Sequence, residues 1–285
     1  MRIDLHAHSS VSDGTEPPDA LVESASQAGL DVLALADHDT TAGWAQAQSA
    51  AARVGIEVVP AIEVSTTWHG ADVHLLAFWP EATDPDLVDL LVAIRAGRSA
   101  RVPQILAGLA AHGVDLSEDD VRRASGAAVS LGRPHVADAL VDAGIVASRA
   151  EAFDAWLAEG RPGYVAKPAP ALVRAIDVVA RAGGASVLAH PWGRGSAAVL
   201  DEAALVRLAA VGLVGLEVDH VDHTDKQRAQ LRALAVRLGL VVTGGSDYHG
   251  SGKAGVGLGM NTTNRTSFEQ LRDRRGEPAR PVTRR

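Results

Sequence analysis

The chain has 285 residues, 47% of them hydrophobic, with 35 acidic against 27 basic side chains. That length allows one large core with an inserted subdomain, and that composition excludes a disordered or fibrous chain. A formal charge of −8 excludes a broad basic surface for long nucleic acid, and the absence of cysteine excludes disulfides and thiolate ligands.

In chain order, residues 2–6 read as a strand. Residues 23–28 belong to a helix that Gly29 ends. A second strand is expected over 32–36, a helix over 43–54, a third strand over 57–63 and a fourth over 72–78. After an interruption, 185–189, 214–218 and 240–243 read as three more strands, with helices over 172–182, 202–210 and 225–238 between them. Each strand candidate is a short apolar run bounded by glycine or a turn. Repeated βα units of this length predict a parallel α/β sheet with helices outside, and seven strands suit a closed or nearly closed barrel. The barrel is expected to be discontinuous, over 1–84 and 166–266. Residues 85–165 carry a long helical pattern over 87–111 and capping boxes at Ser117–Asp120 and Ser148–Glu151, and read as a helical insertion over the barrel mouth. Residues 267–285 read as a basic, frayed tail containing Pro278 and Pro281. No apolar run approaches the roughly 20 residues of a membrane-spanning helix. No leader precedes the first strand, so the expected address is the cytoplasm, with no membrane partner.

Six of the eleven histidines fall in short motifs at or near strand ends, most of which also carry Asp or Glu. His6 and His8 end the first strand, two residues apart and so on one side of it. His38 follows the second strand, between Asp37 and Asp39. Glu63 ends the third, His74 lies in the fourth and His190 ends the fifth. Asp247 and His249 follow the seventh. Taken singly, each has a bland account: a turn, a paired core carboxylate, a satisfied core histidine. Together they deliver imidazole and carboxylate groups to one end of one sheet, which points to a multinuclear metal centre.

These motifs resemble the PHP (polymerase and histidinol phosphatase) phosphoesterases: Asp4-Leu5-His6-Ala7-His8-Ser9, Ser12-Asp13-Gly14, Asp37-His38-Asp39, Pro60-Ala61-Ile62-Glu63, His74-Leu75-Leu76, Ala189-His190-Pro191 and Ser246-Asp247-Tyr248-His249. The resemblance covers about residues 2–265. It implies a distorted (β/α)7, TIM-like barrel holding three divalent ions, Mn2+, Fe2+ or Zn2+. By that resemblance His6, His8, Glu63 and Asp247 hold the first ion, Glu63, His74 and His190 the second, and Asp13, His38 and His249 the third. Histidinol-phosphatase-like members usually carry His where this chain has Asp13, which makes the third site harder and less selective for zinc. Asp37 and Asp39 are expected to orient His38.

Clustered divalent ions lower the pKa of a bridging water to give hydroxide and neutralise phosphoryl oxygens, with Glu63 and Asp247 central to the catalytic arrangement. Arg133 and His135, in a Gly-Arg-Pro-His motif, and Lys167 are expected to contact a substrate phosphate. His220, after the sixth strand, is placed to contact substrate or protonate a leaving oxygen, and His223 to reach the same rim. The insertion and the Gly-Tyr-Val and Ala-His-Pro-Trp segments resemble the stand-alone PHP branch. The expectation is a phosphatase removing the 3′-phosphate of a 3′,5′-bisphosphonucleotide such as 3′-phosphoadenosine 5′-phosphate. The alternatives are a 5′–3′ exoribonuclease on short RNA, a histidinol-phosphatase-like enzyme and a non-catalytic metal-binding regulatory module.

Overall fold

The computed structural model describes residues 1–193 and 196–276. Seven strands form one sheet in chain order: β1 (Ile3–Ala7), β2 (Val32–Leu35), β3 (Glu57–Trp68), β4 (Ala71–Phe78), β5 (Ala185–Leu188), β6 (Gly215–Asp219) and β7 (Val241–Gly244). The edges meet without a continuous ladder, through single bridges from Ala7 to Tyr248 and from Ile3 to Thr263. The result is a nearly closed barrel, with buried apolar side chains inside it and between it and its helices. Helices α1 (Pro18–Gln27), α2 (Trp44–Val54), α8 (Leu172–Arg181), α9 (Glu202–Ala210) and α10 (Asp225–Leu238) follow the expected βα alternation.

The sheet is not all parallel, as the sequence reading had expected. β4 pairs antiparallel with both β3 and β5, while the other neighbouring strands are parallel. β3 continues five residues past the expected end and turns back at His69-Gly70, where φ is +49° and +83°. Two left-handed residues in succession are the signature of a tight hairpin, but His-Gly is a weaker sequence signal than Asn-Gly or Asp-Gly. The reversal has a functional effect. It places the start of β4, and with it His74, at the end of the barrel where the parallel strands finish.

The interruption holds α3 (Pro85–Ser99), α4 (Val102–Ala110), α5 (Glu118–Ala124), α6 (Arg133–Asp142) and α7 (Arg149–Ala152), the last running into a π turn at Phe153–Leu157. The single helix expected over 87–111 is broken near Ala100, with Pro103 opening α4. The expected capping box at Ser117 forms, with Ser117 and Asp120 each accepting the other's N–H; at Ser148 only the Glu151 N–H is capped, and the Glu151 carboxylate accepts from the Ala147 N–H instead. Leu87, Leu90, Leu91 and Ile94 of α3 join the barrel's core, whereas residues from Val102 to Leu157 form a core of their own.

The expected tail boundary at 267 falls inside α11 (Arg265–Asp273), which Asn264 caps and which buries Phe268 and Leu271 in the barrel's core. Pro278, Pro281 and the loop glycine Gly195 lie outside the described residues. No helix among the described residues is long and apolar enough to cross a membrane.

Candidate metal centre

Backbone contacts at the barrel end draw the motifs together. Asp4 accepts N–H groups from His6, Ser246 and Gly259, at 3.2, 2.9 and 2.8 Å. The Asp247 N–H donates to the His6 carbonyl at 2.8 Å, and the His8 N–H to the Tyr248 carbonyl at 2.9 Å. A Cβ at Gly245 would overlap His6, so only glycine lets the chain after β7 approach β1 this closely. Asp39, His190 and Asp247 all have positive φ, at 56°, 28° and 54°. Each such residue costs about 1–3 kcal/mol and persists only where the surroundings over-determine it.

Four groups meet in the first cluster. The Nε2 atoms of His6 and His8 lie 3.1 Å apart, and each is 3.2 Å from Oε2 of Glu63. Oδ1 of Asp247 lies 3.5 and 3.3 Å from the same two nitrogens. Ligand atoms about 2.1 Å from one ion stand about 3.4 Å from one another in a tetrahedron, so these spacings fit a cation shared by all four. Glu63 turns its other oxygen, Oε1, to His74 Nδ1 at 2.7 Å and His190 Nε2 at 3.0 Å. One carboxylate thus faces two clusters, as a bridging ligand must. In the third cluster Asp13 meets His249 Nε2 at 3.3 Å, His38 Nε2 at 3.6 Å and His8 Nδ1 at 3.7 Å. His38 also approaches Glu63 through Nδ1 at 3.3 Å, between the second and third clusters. His8 Nδ1 and His38 Nδ1 are buried without a hydrogen-bond partner, which suits nitrogens reserved for a cation.

The charges fit the same reading. Burial works to raise the Glu63 and Asp247 carboxyls, but the surrounding imidazoles, led by His38 for Glu63 and His6 for Asp247, hold both well below the usual range. Burial likewise opposes charge on His8, yet Asp247 and Glu63 push it up to about 9. A protonated imidazole has no free lone pair, so an entering cation must displace that proton.

Glu217, passed over in the sequence, lies at the centre of this arrangement. It is buried on β6, accepts from His6 Nδ1 at 2.9 Å and accepts the His190 N–H at 2.8 Å. Burial alone would raise its carboxyl, but His6 and His220 hold it down at about 2. It fixes which His6 nitrogen faces the cluster. Lys253 was also missed. Its ammonium reaches Oδ2 of Asp247 at 2.6 Å from the glycine-rich turn after His249.

Several expected roles differ in the structure. Asp37 accepts from Ser9 and Ser12, and Asp39 accepts from Ser65 and forms an ion pair with Arg98, so neither orients His38 through a hydrogen bond. His135 is buried, with Nδ1 accepting the Gly132 N–H and Nε2 donating to the Ser12 carbonyl, which leaves neither nitrogen for a substrate. His223 is committed in the same way, to the Val218 carbonyl and the Trp192 N–H. His220 is fully buried rather than at the rim, its Nε2 lying 3.4 Å from Asp247 Oδ2 without a hydrogen-bond partner. Arg133 opens α6 at 5.5 Å from the Tyr164 ring and 3.5 Å from Asp72. Lys167 is buried near Arg98, Arg101, Asp72 and Asp39.

Known proteins place this geometry. The PHP domain model matches residues 4–118. A 3′,5′-nucleoside bisphosphate phosphatase from Chromobacterium violaceum is 35% identical, the match covering 90% of each chain. The chain belongs to the PHP-domain family. A 5′-3′ exoribonuclease from Haemophilus influenzae is 34% identical over 87% of this chain and 90% of its own. A Bifidobacterium adolescentis protein described as a metal-dependent phosphoesterase superposes with a TM-score of 0.91 at 36% identity, covering 95% of this chain and 96% of its own. The expected fold and class stand: this PHP-domain protein is a phosphoric ester hydrolase.

Proposed function

We propose that the chain removes the 3′-phosphate of a 3′,5′-bisphosphonucleotide, such as 3′-phosphoadenosine 5′-phosphate, using three divalent ions of Mn2+, Fe2+ or Zn2+. The Glu63-bridged clusters and the Asp13 cluster would hold the ions. When bound, such ions acidify a water and neutralise phosphoryl oxygens. The chain's own groups do the positioning. Glu217 supports His6, His220 lies beside Asp247, and Lys253 presents a partly exposed cation to the same carboxylate.

The observation that carries the substrate choice lies beside the clusters. Arg98, Arg101, Arg133 and Lys167 gather here, with Arg98 2.8 Å from Asp39 and Arg133 3.5 Å from Asp72. Burial, with Arg98 and Arg101 adding to it, pushes the Lys167 amine down to about 8. A surplus of buried cations is stabilised by an anion. The second phosphate of a bisphosphonucleotide is such an anion, held while the first reacts. The activity of the Chromobacterium violaceum relative supports this reading.

A phosphate-release assay of the Mn2+-loaded protein tests it, with 3′,5′-bisphosphonucleotides, nucleoside monophosphates, histidinol phosphate and short 5′-phosphorylated RNA. The bisphosphonucleotide should give the highest kcat/KM, with a nucleoside 5′-monophosphate as product. Faster shortening of RNA from its 5′ end would select the exoribonuclease reading, which the Haemophilus influenzae relative supports. Turnover of no substrate by metal-loaded protein would select the regulatory module.

A further inference from the structure

Three consecutive carbonyls in the loop after β1 each accept a hydrogen bond from the helical insertion. The Val11 carbonyl takes the Val129 N–H at 3.0 Å. Ser12 takes His135 Nε2 at 2.8 Å, and Asp13 takes Arg149 Nη1 at 2.7 Å. The insertion folds around its own core, so it grips this loop from outside the barrel. Arg149 is itself anchored: Nε and Nη2 form a fork on the Asp138 carboxylate, which leaves Nη1 for Asp13. The same guanidinium packs on the turn after His249, where a Cβ at Gly252 would collide with it. Arg149 therefore touches both segments whose side chains, Asp13 and His249, meet 3.3 Å apart in the third cluster.

We propose that Arg149, assisted by His135, is a positioning residue for a cation held by Asp13, His38 and His249, so that the insertion builds this site as well as covering the barrel. The proposal rests on the three-ion reading above. Two of the clusters share Glu63 of β3, and each takes a further ligand from a strand, His6 of β1 or His74 of β4. The third joins two loops, and a loop carbonyl with no donor is free to turn its side chain away. An outer partner of this kind is worth roughly 10- to 100-fold in metal affinity. The effect should fall on one ion of three. A cavity of 320 Å3 already separates the loop from the insertion, lined by Asp13, Asp138 and Arg149 among others, so loss of the guanidinium opens no closed core.

The test is elemental analysis of the protein after equilibration against graded concentrations of a chelator, with circular dichroism as a check on folding. Wild-type protein should hold its ions to similar chelator concentrations. Arg149→Met should release one equivalent at roughly 10- to 100-fold lower chelator and keep the others. Arg149→Lys, a milder change that cannot hold Asp138 and reach the Asp13 carbonyl together, should shift the same equivalent by less. If Arg149→Met does not fold, the lysine variant decides alone. A folded variant releasing every ion as wild type does overturns the proposal, as does one that weakens all of them together. Wild-type protein that binds no metal removes the three-ion reading itself, a distinct result.

Discussion

Lys253 Nζ lies 2.6 Å from Oδ2 of Asp247, the oxygen that His220 Nε2 also faces at 3.4 Å. Oδ1 of the same carboxylate faces His6 and His8. The two oxygens are thus divided, one held by the protein's own cation and the other turned to the cluster. Lys253→Ala should release Oδ2 and lower kcat by roughly 10- to 100-fold, with Lys253→Arg recovering part of the loss. Steady-state kinetics on both variants measure this. Unchanged kcat in the alanine variant would make Lys253 a bystander.

Glu63 serves two clusters with its two oxygens, so its charge should matter more than that of any other single residue. Glu63→Gln keeps the shape and removes the negative charge. Turnover is expected to fall by about three or more powers of ten, with bound metal reduced. Elemental analysis and kcat on the same sample check it, and near-normal turnover would mean the bridge is not used.

Arg133 should act on substrate choice. A charge-assisted hydrogen bond to phosphate is worth about 1.5–3 kcal/mol. Arg133→Ala should cut kcat/KM for a bisphosphonucleotide by roughly 10- to 100-fold and affect a small monophosphate ester much less. Equal losses on both substrates would put Arg133 at the reacting phosphate.

The pH dependence follows from Lys167. Its amine is held down at about 8 by burial and by Arg98, so it is charged below that pH and neutral above it. A neutral amine attracts phosphate less. KM for the bisphosphonucleotide should therefore rise as pH rises through about 8, and Lys167→Met should flatten that rise while raising KM at pH 7. A wild-type KM that is flat between pH 7 and 9 would remove Lys167 from the binding site.

How much of this was legible depends on where each residue lies along its element. His6, His8, His38, Glu63, His190 and Asp247 each follow an apolar run, so the strand ends could be read together with the chemistry. Glu217 alternates with Leu216 and Val218 and reads as the outward side of a strand; its inward turn depends on the curvature of the barrel. Lys253 lies in Gly-Ser-Gly-Lys-Ala-Gly, which reads as a solvated loop. His135 and His223 carry the right chemistry, but their hydrogen bonds go to carbonyls 123 and 5 residues away, and a linear pattern does not reveal such commitments. Arg149 follows a helix cap and looks like surface until the insertion is folded back.

The β3–β4 reversal also sets an order of assembly. Glu63 and His74 are 11 residues apart on one hairpin, and hairpins of this kind close in about 1–10 μs. Glu63 and His190 are 127 residues apart, and Asp247 reaches His6 only when the last strand docks beside the first. Loop-closure entropy favours local contacts first. The nascent site therefore grows outward from the bridging carboxylate: the β3–β4 hairpin alone already joins two ligands, and only the arrival of β7 beside β1 completes the first cluster.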